Sequence, residues 1–312
     1  MDGLRALATH PIAQLLEILV NSTTEGVSSQ ILNWLASRLD PASMEWVQDR
    51  LQRVRANDKK GLFLSFGLTP RKVGKSDLAL TTTELHAADS VRTDWNPQGW
   101  SVDQAVRTLF VLSLPSQDPA ALVSTLDQLF GTGEVGELVA LYQALPLLPH
   151  PSAHVLRAAE GIRTNMRVVF CAVALHNPYP AENFDDDQWN QMVLKCQFIG
   201  VPMGPIVGLD RRANGRLSSM VVDFIHERWA AKRPVAAELW RCVGRFADAQ
   251  GLCDLERVLK SGSTADRTAA ALALSQHPNP VAVQMLATVP ELVHGIKAGT
   301  ISWETIDQHL SP

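Results

Sequence analysis

"ADRTAAALALSQHPNPVAVQMLATV", residues 265–289, gives the clearest indication of the fold. An alanine- and leucine-rich helical run leads into a turn with two prolines, and a second apolar run follows. Neither run can cover its apolar face alone, which is typical of HEAT-type helix pairs that stack on neighbouring pairs. Residues 236–262 are interpreted as the preceding pair. An alanine-rich hairpin in a helical bundle has the same pattern, so a bundle remains open, and both interpretations predict an all-α protein.

Helical periodicity continues through most of the chain. Ser101 and Gln104 have the spacing of a capping box, which predicts that a helix begins there and runs to about residue 114. Asp185 predicts the start of another helix, with Asp186 and Asp187 in the first turn, where negative charge is favourable. Further helices are predicted at residues 11–20, 28–39, 42–55, 118–130, 134–145, 152–175 and about 212–231.

The helical pattern fails between residues 57 and 100, where glycines, Pro70 and the Asn96–Pro97 pair interrupt it. We predict a long irregular segment there, which docks onto the body of the protein through Trp95 and Trp100. The whole chain is predicted to be a single α-helical domain, 1–312, built as a helical stack or solenoid. Its predicted parts are an N-terminal helical layer (1–56), the irregular segment (57–100), central helices (101–235) and HEAT-like repeats (236–312).

The composition indicates a globular protein with a well-buried core, since 46% of the 312 residues are hydrophobic and 19% are charged. The 28 basic and 32 acidic residues give a formal net charge of -4, which argues against a general nucleic-acid-binding role. We see no basic leader and no run of about 18 apolar residues. A cytoplasmic protein without a signal peptide or a transmembrane segment is therefore expected.

Metal and cofactor motifs are not evident. The chain contains Cys171, Cys196, Cys242 and Cys253. These cysteines lack the spacing of a zinc site and are predicted to be small, reduced core residues. His150 and His154 have no evident third ligand and are interpreted as surface histidines. No phosphate loop, dinucleotide fingerprint or G-x-S-x-G motif occurs, so no cofactor is predicted.

Three helices in the middle of the chain carry a narrow polar strip between apolar flanks. If the strips converge, they enclose a pocket whose groups bond to each other or to a ligand, because leaving each unpaired costs about 1–3 kcal/mol. The alternative is that each strip is the solvated side of its helix. The predicted ligand-binding residues are Arg157, Glu160, Arg163, Asn165, Asn190, Lys195, Asp210, Arg211, Asp223, His226 and Glu227.

Asp223 and His226 form a D-x-x-H pair on one helical face, which is a spacing used by carboxylate-rich metal centres in helical bundles. Such a centre contains the motif twice with two further carboxylates, and only one copy is present, so no metal is predicted. If the chain is an enzyme, Glu160, Asp223 and His226 are its acid–base candidates. A binding role is favoured, because no activated nucleophile is visible and helical stacks commonly present extended binding surfaces.

Several distinctive stretches resemble the EboA domain-containing proteins. They are RTDWNPQGWSVDQAVR (92–107), LRAAEGIRTNM (156–166), NPYPAENFDDDQWNQMVLK (177–195), GLDRRANGRL (208–217) and HERWAAKRPVAAELW (226–240). The family is named after a bacterial gene cluster, also found in some algae. The other members of that cluster resemble a prenyltransferase, sugar-phosphate cyclase-like and isomerase-like enzymes, and a phosphatase-like hydrolase.

The resemblance implies a part in making or trafficking a secondary metabolite, in some hosts a precursor for export across the inner membrane. It implies no catalytic residue. With the polar strips, it suggests a non-catalytic helical-repeat protein that binds a small-molecule metabolite, or docks enzymes of the same gene cluster, through a central polar groove. The alternative is an enzyme acting on a cyclised or prenylated intermediate.

Overall fold

The structure, a computed structural model, describes residues 11–310 and the side chains of residues 24–306. Within these residues the secondary structure is helical and no strand forms, which confirms the all-α class. The chain divides into two compact units, Met1–Asn183 and Phe184–Pro312. The division lies within the predicted central helices (101–235). No boundary was predicted there, because the whole chain was expected to be one domain. The HEAT-like character of the C-terminal helices stays a prediction.

The first unit contains helices α1 to α10 and two 3-10 turns, Leu145–Leu147 and Pro151–His154. The helices are α1 (Pro11–Ala36), α2 (Pro41–Arg55), α3 (Lys59–Val73), α4 (Thr82–Val91), α5 (Val102–Leu112), α6 (Pro119–Thr132), α7 (Val135–Ala144), α8 (Val155–Arg163), α9 (Arg167–Ala174) and α10 (Tyr179–Asn183).

The second unit contains helices α11 to α18 and two 3-10 turns, Ala237–Leu239 and Gly244–Phe246. The helices are α11 (Asp186–Ile199), α12 (Gly215–Ala230), α13 (Trp240–Val243), α14 (Ala249–Ser261), α15 (Thr264–Ser275), α16 (Pro280–Leu286), α17 (Pro290–Lys297) and α18 (Trp303–Leu310).

Helix starts coincide with side chains that bond to the backbone amides of the first turn. At α5, the Gln104 side chain accepts a hydrogen bond from the Ser101 amide at 2.9 Å. At α11, the Asp185 carboxylate accepts one from the Gln188 amide at 2.7 Å. Both predicted helix starts are confirmed. Two helices were predicted at residues 11–20 and 28–39, but a single helix, α1, runs from Pro11 to Ala36. The polar residues between the two predicted helices do not end it, because their lower helix propensity costs only a few tenths of a kcal/mol each, roughly.

The irregular segment predicted at residues 57–100 is wrong, because it contains α3 and α4. Pro70 does not break α3 and lies in its last turn. Since proline has no N–H, the Phe66 carbonyl loses its helical donor. Arg107 Nε donates to that carbonyl instead, at 3.1 Å, and so satisfies the group that the proline leaves open.

Helix α4 begins at a capping box between Thr81 and Glu84. The spacing of these two residues in the sequence indicates a helix start that the prediction of an irregular segment did not include. The residues between α4 and α5 are irregular, apart from an isolated bridge between Asp77 and Ser101 that ties the chain before α4 to the start of α5. Trp95 and Trp100 are only 1% and 4% exposed, which confirms that the two tryptophans dock this segment onto the first unit.

The helix predicted at residues 152–175 is interrupted. Its first residues form a 3-10 turn, α8 ends at Arg163, and α9 begins at Arg167. Thr164 takes an extended conformation (φ -63°, ψ 153°), and its hydroxyl accepts a hydrogen bond from the Met166 amide at 3.1 Å. A threonine side chain that bonds locally to the backbone competes with helical pairing, which accounts for the break.

The core of the first unit is rich in aromatic side chains. The Trp95 ring lies 5.5 Å from Trp34 and 6.1 Å from Trp100, between ring centroids, and Phe66 lies 6.4 Å from Phe110. Tilted and edge-on arrangements at these distances are favourable for aromatic pairs. Large rigid rings fill space unevenly, and the unit retains a cavity beside two of these tryptophans.

This core also encloses an ion pair. Arg107 Nη1 lies 2.7 Å from Asp103 Oδ2 on the same face of α5, and both residues are 4% exposed. The carboxylate also accepts a hydrogen bond from Ser101 Oγ at 2.6 Å. Burial lowers the pKa of Arg107, and the Asp103 charge opposes that shift. Together with the bond to Phe66, these contacts satisfy charges that would be costly if buried alone.

The core of the second unit is built on α15, which contacts α13, α14, α16, α17 and α18. Its alanines, from Ala269 to Ala273, are fully buried. The small side chains allow a close backbone approach: a Cβ on Gly244 would lie 2.6 Å from the carbonyl oxygen of Ala273. Only glycine fits at this contact, because the neighbouring atoms belong to the backbone.

Candidate functional site

The first unit holds a cavity of about 280 Å³ that we call the tryptophan cavity. It is lined by Trp95, Gln98, Trp100, Val139, Gln143, Pro146, Arg167, Val168, Cys171, Ala172, Leu175, His176 and Asn177. The walls come from the turn between α4 and α5, from α7 and the turn after it, and from α9 with the residues that follow it. A concave, mostly apolar site with a few polar groups is the usual form of a small-molecule site.

One wall is the turn that carries the two tryptophans. Asn96 Oδ1 accepts a hydrogen bond from the Gln98 amide at 3.0 Å, which fixes the start of the turn. Gly99 has φ +74°, a conformation that favours glycine, and the Trp100 amide then bonds to the Pro97 carbonyl at 3.2 Å. These bonds set the T-shaped arrangement of the rings of Trp95 and Trp100.

The opposite wall is one face of α9. Four residues of this face line the cavity: Arg167, Val168, Cys171 and Ala172. Arg167 lies one helical turn before Cys171, and Val168 lies one turn before Ala172, so all four are on the same side of the helix. Val168 is 55% exposed, which places an apolar side chain at the open side. Burial raises the pKa of the Cys171 thiol, while the nearby Arg167 charge and hydrogen bond act in the opposite direction. Arg167 is thus the cationic group of the cavity.

Two polar atoms of lining residues are buried without a hydrogen-bond partner among the residues that the structure describes. They are Trp95 Nε1, a donor, and Gln143 Oε1, an acceptor. A buried polar group left unpaired costs about 1–3 kcal/mol. A ligand with one acceptor and one donor at the matching positions would satisfy both atoms.

His176 and Asn177 form the end of the cavity. His176 has φ +53°, and Asn96 Nδ2 lies 3.2 Å from its Nδ1. Burial lowers the pKa of His176, which favours a neutral imidazole that accepts this amide hydrogen bond. Asn177 Nδ2 donates to the carbonyls of Tyr142 (3.1 Å) and Ala172 (2.9 Å), and so ties the end of α9 to α7.

The predicted site residues of the first unit do not line this cavity. Arg157 donates to Asp127 at 2.7 Å and to Glu160 at 2.5 Å, and its guanidinium lies 5.3 Å from the centroid of the Phe130 ring. Glu160, Arg163 and Asn165 are exposed. Ion pairing within α8 and with α6 therefore accounts for part of the polar strip on α8.

In the second unit, Asn190 is 1% exposed and pairs with Asn214. Asn214 Nδ2 donates to Asn190 Oδ1 at 2.9 Å, and Asn190 Nδ2 donates back at 3.3 Å. Asn214 also accepts from the Leu217 amide at the start of α12. The buried amide on α11 thus has a structural role, because it orients the residue that caps the next helix. Lys195 is half-buried, and burial lowers its pKa.

The remaining predicted residues of the second unit are dispersed. Asp210 accepts two hydrogen bonds from Arg241, both at 2.8 Å, and Arg211, Asp223 and Glu227 are exposed. Because the three polar strips belong to α8 in one unit and to α11 and α12 in the other, their convergence stays a prediction.

His226 bonds to a residue that the D-x-x-H pattern did not indicate. Its Nε2 lies 2.6 Å from Asp254 Oδ2 on α14, and Asp254 is buried. Asp223 is exposed. Among the residues whose side chains are described, no group of three or more His, Cys, Asp or Glu is placed to hold a metal ion.

The predicted positions of three residues, Cys171, Cys253 and His154, are wrong. Cys253 is exposed and Cys171 is half-buried, so only Cys196 and Cys242 are core cysteines. His154 is 3% exposed and not on the surface, because its Nε2 bonds to the Pro149 carbonyl at 2.9 Å. An i, i+4 spacing after a proline does not distinguish a surface histidine from a buried one that bonds to a nearby backbone carbonyl.

The comparisons with known proteins agree with the resemblance seen in the sequence. A family model described as metabolite traffic protein EboA matches residues 27–244, which is more than half of the chain and includes the whole tryptophan cavity. No curated protein and no solved structure matches the chain. Within the described residues, no helix has both the length and the apolar character needed to cross a membrane.

Proposed function

The chain belongs to the EboA family of metabolite traffic proteins, and from this premise we propose that it binds a small metabolite in the tryptophan cavity without transforming it. The observation that carries the proposal is a pair of buried polar atoms on two lining residues, Trp95 Nε1 and Gln143 Oε1, which find no hydrogen-bond partner in the described part of the chain. A cavity of about 280 Å³ is at the small end of the range for ligand sites, so it suits a small ligand.

The lining defines the chemistry of the ligand. An aromatic or apolar body would pack against Trp95 and Trp100, and Trp95 Nε1 would donate to an acceptor on that body. Gln143 Oε1 would accept from a hydroxyl or amine. An anionic group would bind to Arg167, since guanidinium pairs strongly with carboxylate and phosphate. The proposed ligand is thus a small amphiphilic acid.

The test compares two samples of the protein. One is purified from a host that carries the whole gene cluster implied by the resemblance, and the other is produced without the rest of the cluster. Native mass spectrometry is expected to show a retained small molecule only in the first sample. Alkylation then locates it: Cys171 in the cavity is expected to react at least about tenfold more slowly in the loaded protein, because the thiolate that reacts must be reachable. The exposed Cys253 is the internal control, and its rate should not change.

Matched variants complete the design. Val168→Trp fills the open side of the cavity from an exposed position and is expected to abolish retention. Val283→Trp, at a 66% exposed position on α16, is the control and should retain the ligand. Equal retention by both variants, or no retained molecule in any sample, would contradict metabolite binding in this cavity.

The docking of partner enzymes through a central polar groove is the second candidate within the binding class. Exposed charges at Glu160 and Arg163, both on α8 of the first unit, support it, since exposed groups can contact a protein surface. It predicts a co-purifying enzyme of the cluster that is lost from a Glu160→Lys, Arg163→Glu double variant and is unaffected by Val168→Trp. The enzymatic alternative has less support, because His226 pairs with Asp254 and not with the other acid–base candidates.

A further inference from the structure

The second unit contains a separate cavity of about 220 Å³, which we call the arginine cavity. Trp229, Arg233, Trp240, Arg257 and Asp266 supply its aromatic and charged lining. Part of this lining, from Arg257 onward, lies outside the family match at residues 27–244. We propose that the arginine cavity binds a small oxyanion, either phosphate itself or the phosphate group of a metabolite, and this goes beyond the function proposed for the first unit.

The first support is the fixed position of Arg257. Its guanidinium lies 4.5 Å from the centroid of the Trp229 ring, within the range of a cation–π contact. The Trp229 ring also contacts the rings of His226 (5.8 Å) and Trp240 (6.1 Å), between centroids, and Trp240 is 1% exposed. A guanidinium that is already oriented loses less conformational entropy when an anion binds.

Arg233 is placed by the turn that follows α12. Lys232 has φ +53°, and the Arg233 amide bonds to the Arg228 carbonyl at 2.8 Å. The Arg228 guanidinium closes the turn by donating twice to the Pro234 carbonyl, at 2.9 and 2.8 Å. The turn therefore sets the second cationic group at the cavity through backbone contacts.

The second support is charge. Other arginines in this unit form ion pairs: Arg212 pairs with Asp186, and Arg241 pairs with Asp210. Among the described residues, Arg233 and Arg257 have no carboxylate at ion-pair distance, although both line one cavity. Two guanidinium groups facing a shared space form a favourable site for a phosphate, which accepts bidentate hydrogen bonds.

Asp266 refines the ligand. Its Oδ2 accepts hydrogen bonds from the hydroxyl (2.7 Å) and the amide (3.2 Å) of Ser263, so this carboxylate completes the capping box of α15 and also lines the cavity. A fully ionised anion would be repelled by it. Monohydrogen phosphate or a phosphate ester with a neighbouring hydroxyl can donate to the carboxylate, which favours these forms.

The test is isothermal titration calorimetry of the full chain with inorganic phosphate, and in a second arm with glycerol 3-phosphate, at constant ionic strength. Saturable binding of inorganic phosphate is expected if the anion alone is recognised. Tighter binding of the ester would assign the site to a phosphorylated metabolite. Absence of saturable binding in both arms would overturn the proposal.

Variants connect the signal to the cavity. Arg257→Gln and Arg233→Gln are each expected to weaken binding by about tenfold or more, since each removes charge-assisted hydrogen bonds. Arg245→Gln is the matched control, because Arg245 also stacks on an aromatic ring (Phe246, 5.6 Å) but lies outside the cavity lining. Equal weakening by the control would show that binding depends on net charge and would refute the site. Circular dichroism of each variant checks that the fold is retained.

Discussion

The cores of the two units are packed in different ways. In the first unit, Trp34, Trp95 and Phe110 are almost completely buried and meet other aromatic rings. In the second unit, the alanines of α15 occupy the centre and the backbone at Gly244 approaches that of Ala273. Side chains thus separate the helices in one unit, and backbones nearly touch in the other.

This difference teaches where each unit can tolerate change and where it can hold a ligand. Rigid rings leave gaps that are too irregular to fill, and the tryptophan cavity is such a gap beside Trp95 and Trp100. An alanine-rich centre leaves little space between helices, so the arginine cavity lies at the edge of the second unit, where exposed Arg233 and Arg257 line it. The first cavity is suited to an apolar body and the second to a charge.

The largest expected effect comes from the ion pair that the aromatic core encloses. Arg107→Ala leaves Asp103 buried without its partner and the Phe66 carbonyl without a donor, so we expect the free energy of unfolding in urea to fall by about 3–5 kcal/mol. Arg216→Ala is the control in the second unit: its pair with Asp187 is 66% and 64% exposed, and its removal should cost less than about 1 kcal/mol. Similar losses for both variants would contradict the contrast between the units.

The glycine contacts test the packing contrast directly. Gly244→Ala places a Cβ 2.6 Å from a backbone oxygen that cannot move alone, and we expect a loss of about 2–3 kcal/mol. Gly161→Ala in α8 meets only side chains, from Val173 at 2.6 Å and Tyr142 at 2.7 Å, and it also gains helix propensity. We expect a cost of about 1 kcal/mol there. If thermal unfolding shows a larger loss of stability for Gly161→Ala than for Gly244→Ala, the closer backbone packing inferred for the second unit is contradicted.

His154 makes the first unit sensitive to mild acid. Burial lowers its pKa below the ordinary 6.5, so the unfolded chain binds a proton more readily than the folded one. The stability that depends on a neutral His154 is fully present above pH 6.5 and is lost as the pH falls from 6.5 toward the folded-state pKa. His154→Gln is expected to make the loss of stability below about pH 6.5 shallower, because glutamine takes up no proton there. An unchanged slope in urea titrations would show that His154 is reached by water.

The smallest effect concerns Glu84. The hydrogen bond from Arg38, at 2.8 Å, is the main reason why its pKa is lowered from 4.5 to about 2. Since the folded pKa is depressed, the stabilisation is present above pH 4.5 and is lost as the pH falls toward 2. The pair is partly exposed, so we expect Glu84→Gln to cost less than about 1 kcal/mol at neutral pH and to flatten the acid limb. A larger loss in the free energy of unfolding would mean that the Arg38–Glu84 pair is shielded from water to the same degree as the buried Arg107–Asp103 pair.

Features of the fold that depend on interactions between residues close in sequence could be predicted, whereas features that depend on contacts between distant segments could not. Local hydrogen bonds determine the starts of α5 and α11, and Ser101 and Asp185 predicted both correctly. Pro70 was misleading because the group that compensates for it, Arg107, lies on another helix. Periodicity could not show that α8 and α9 are separate, since a single threonine bond divides them.

The candidate site was predictable only in part. The two tryptophans were correctly expected to dock, but the cavity beside them requires Gln143 and His176 to approach from other segments, and no spacing in the sequence indicates that. The polar strips drew attention to charged residues, of which Arg157 is paired within its own unit. Asn190, the most buried of the predicted ligand residues, bonds to the cap of the next helix.

Gly244 also has a practical consequence for work with fragments. It is the last residue of the family match, yet it rests on the backbone of Ala273 in α15. Cutting the gene after this codon would therefore uncover Cys242 and Val243, which are 1% and 0% exposed in the full chain. A homology boundary is in this case a poor guide to an expression boundary, and soluble fragments of the second unit should extend through α18.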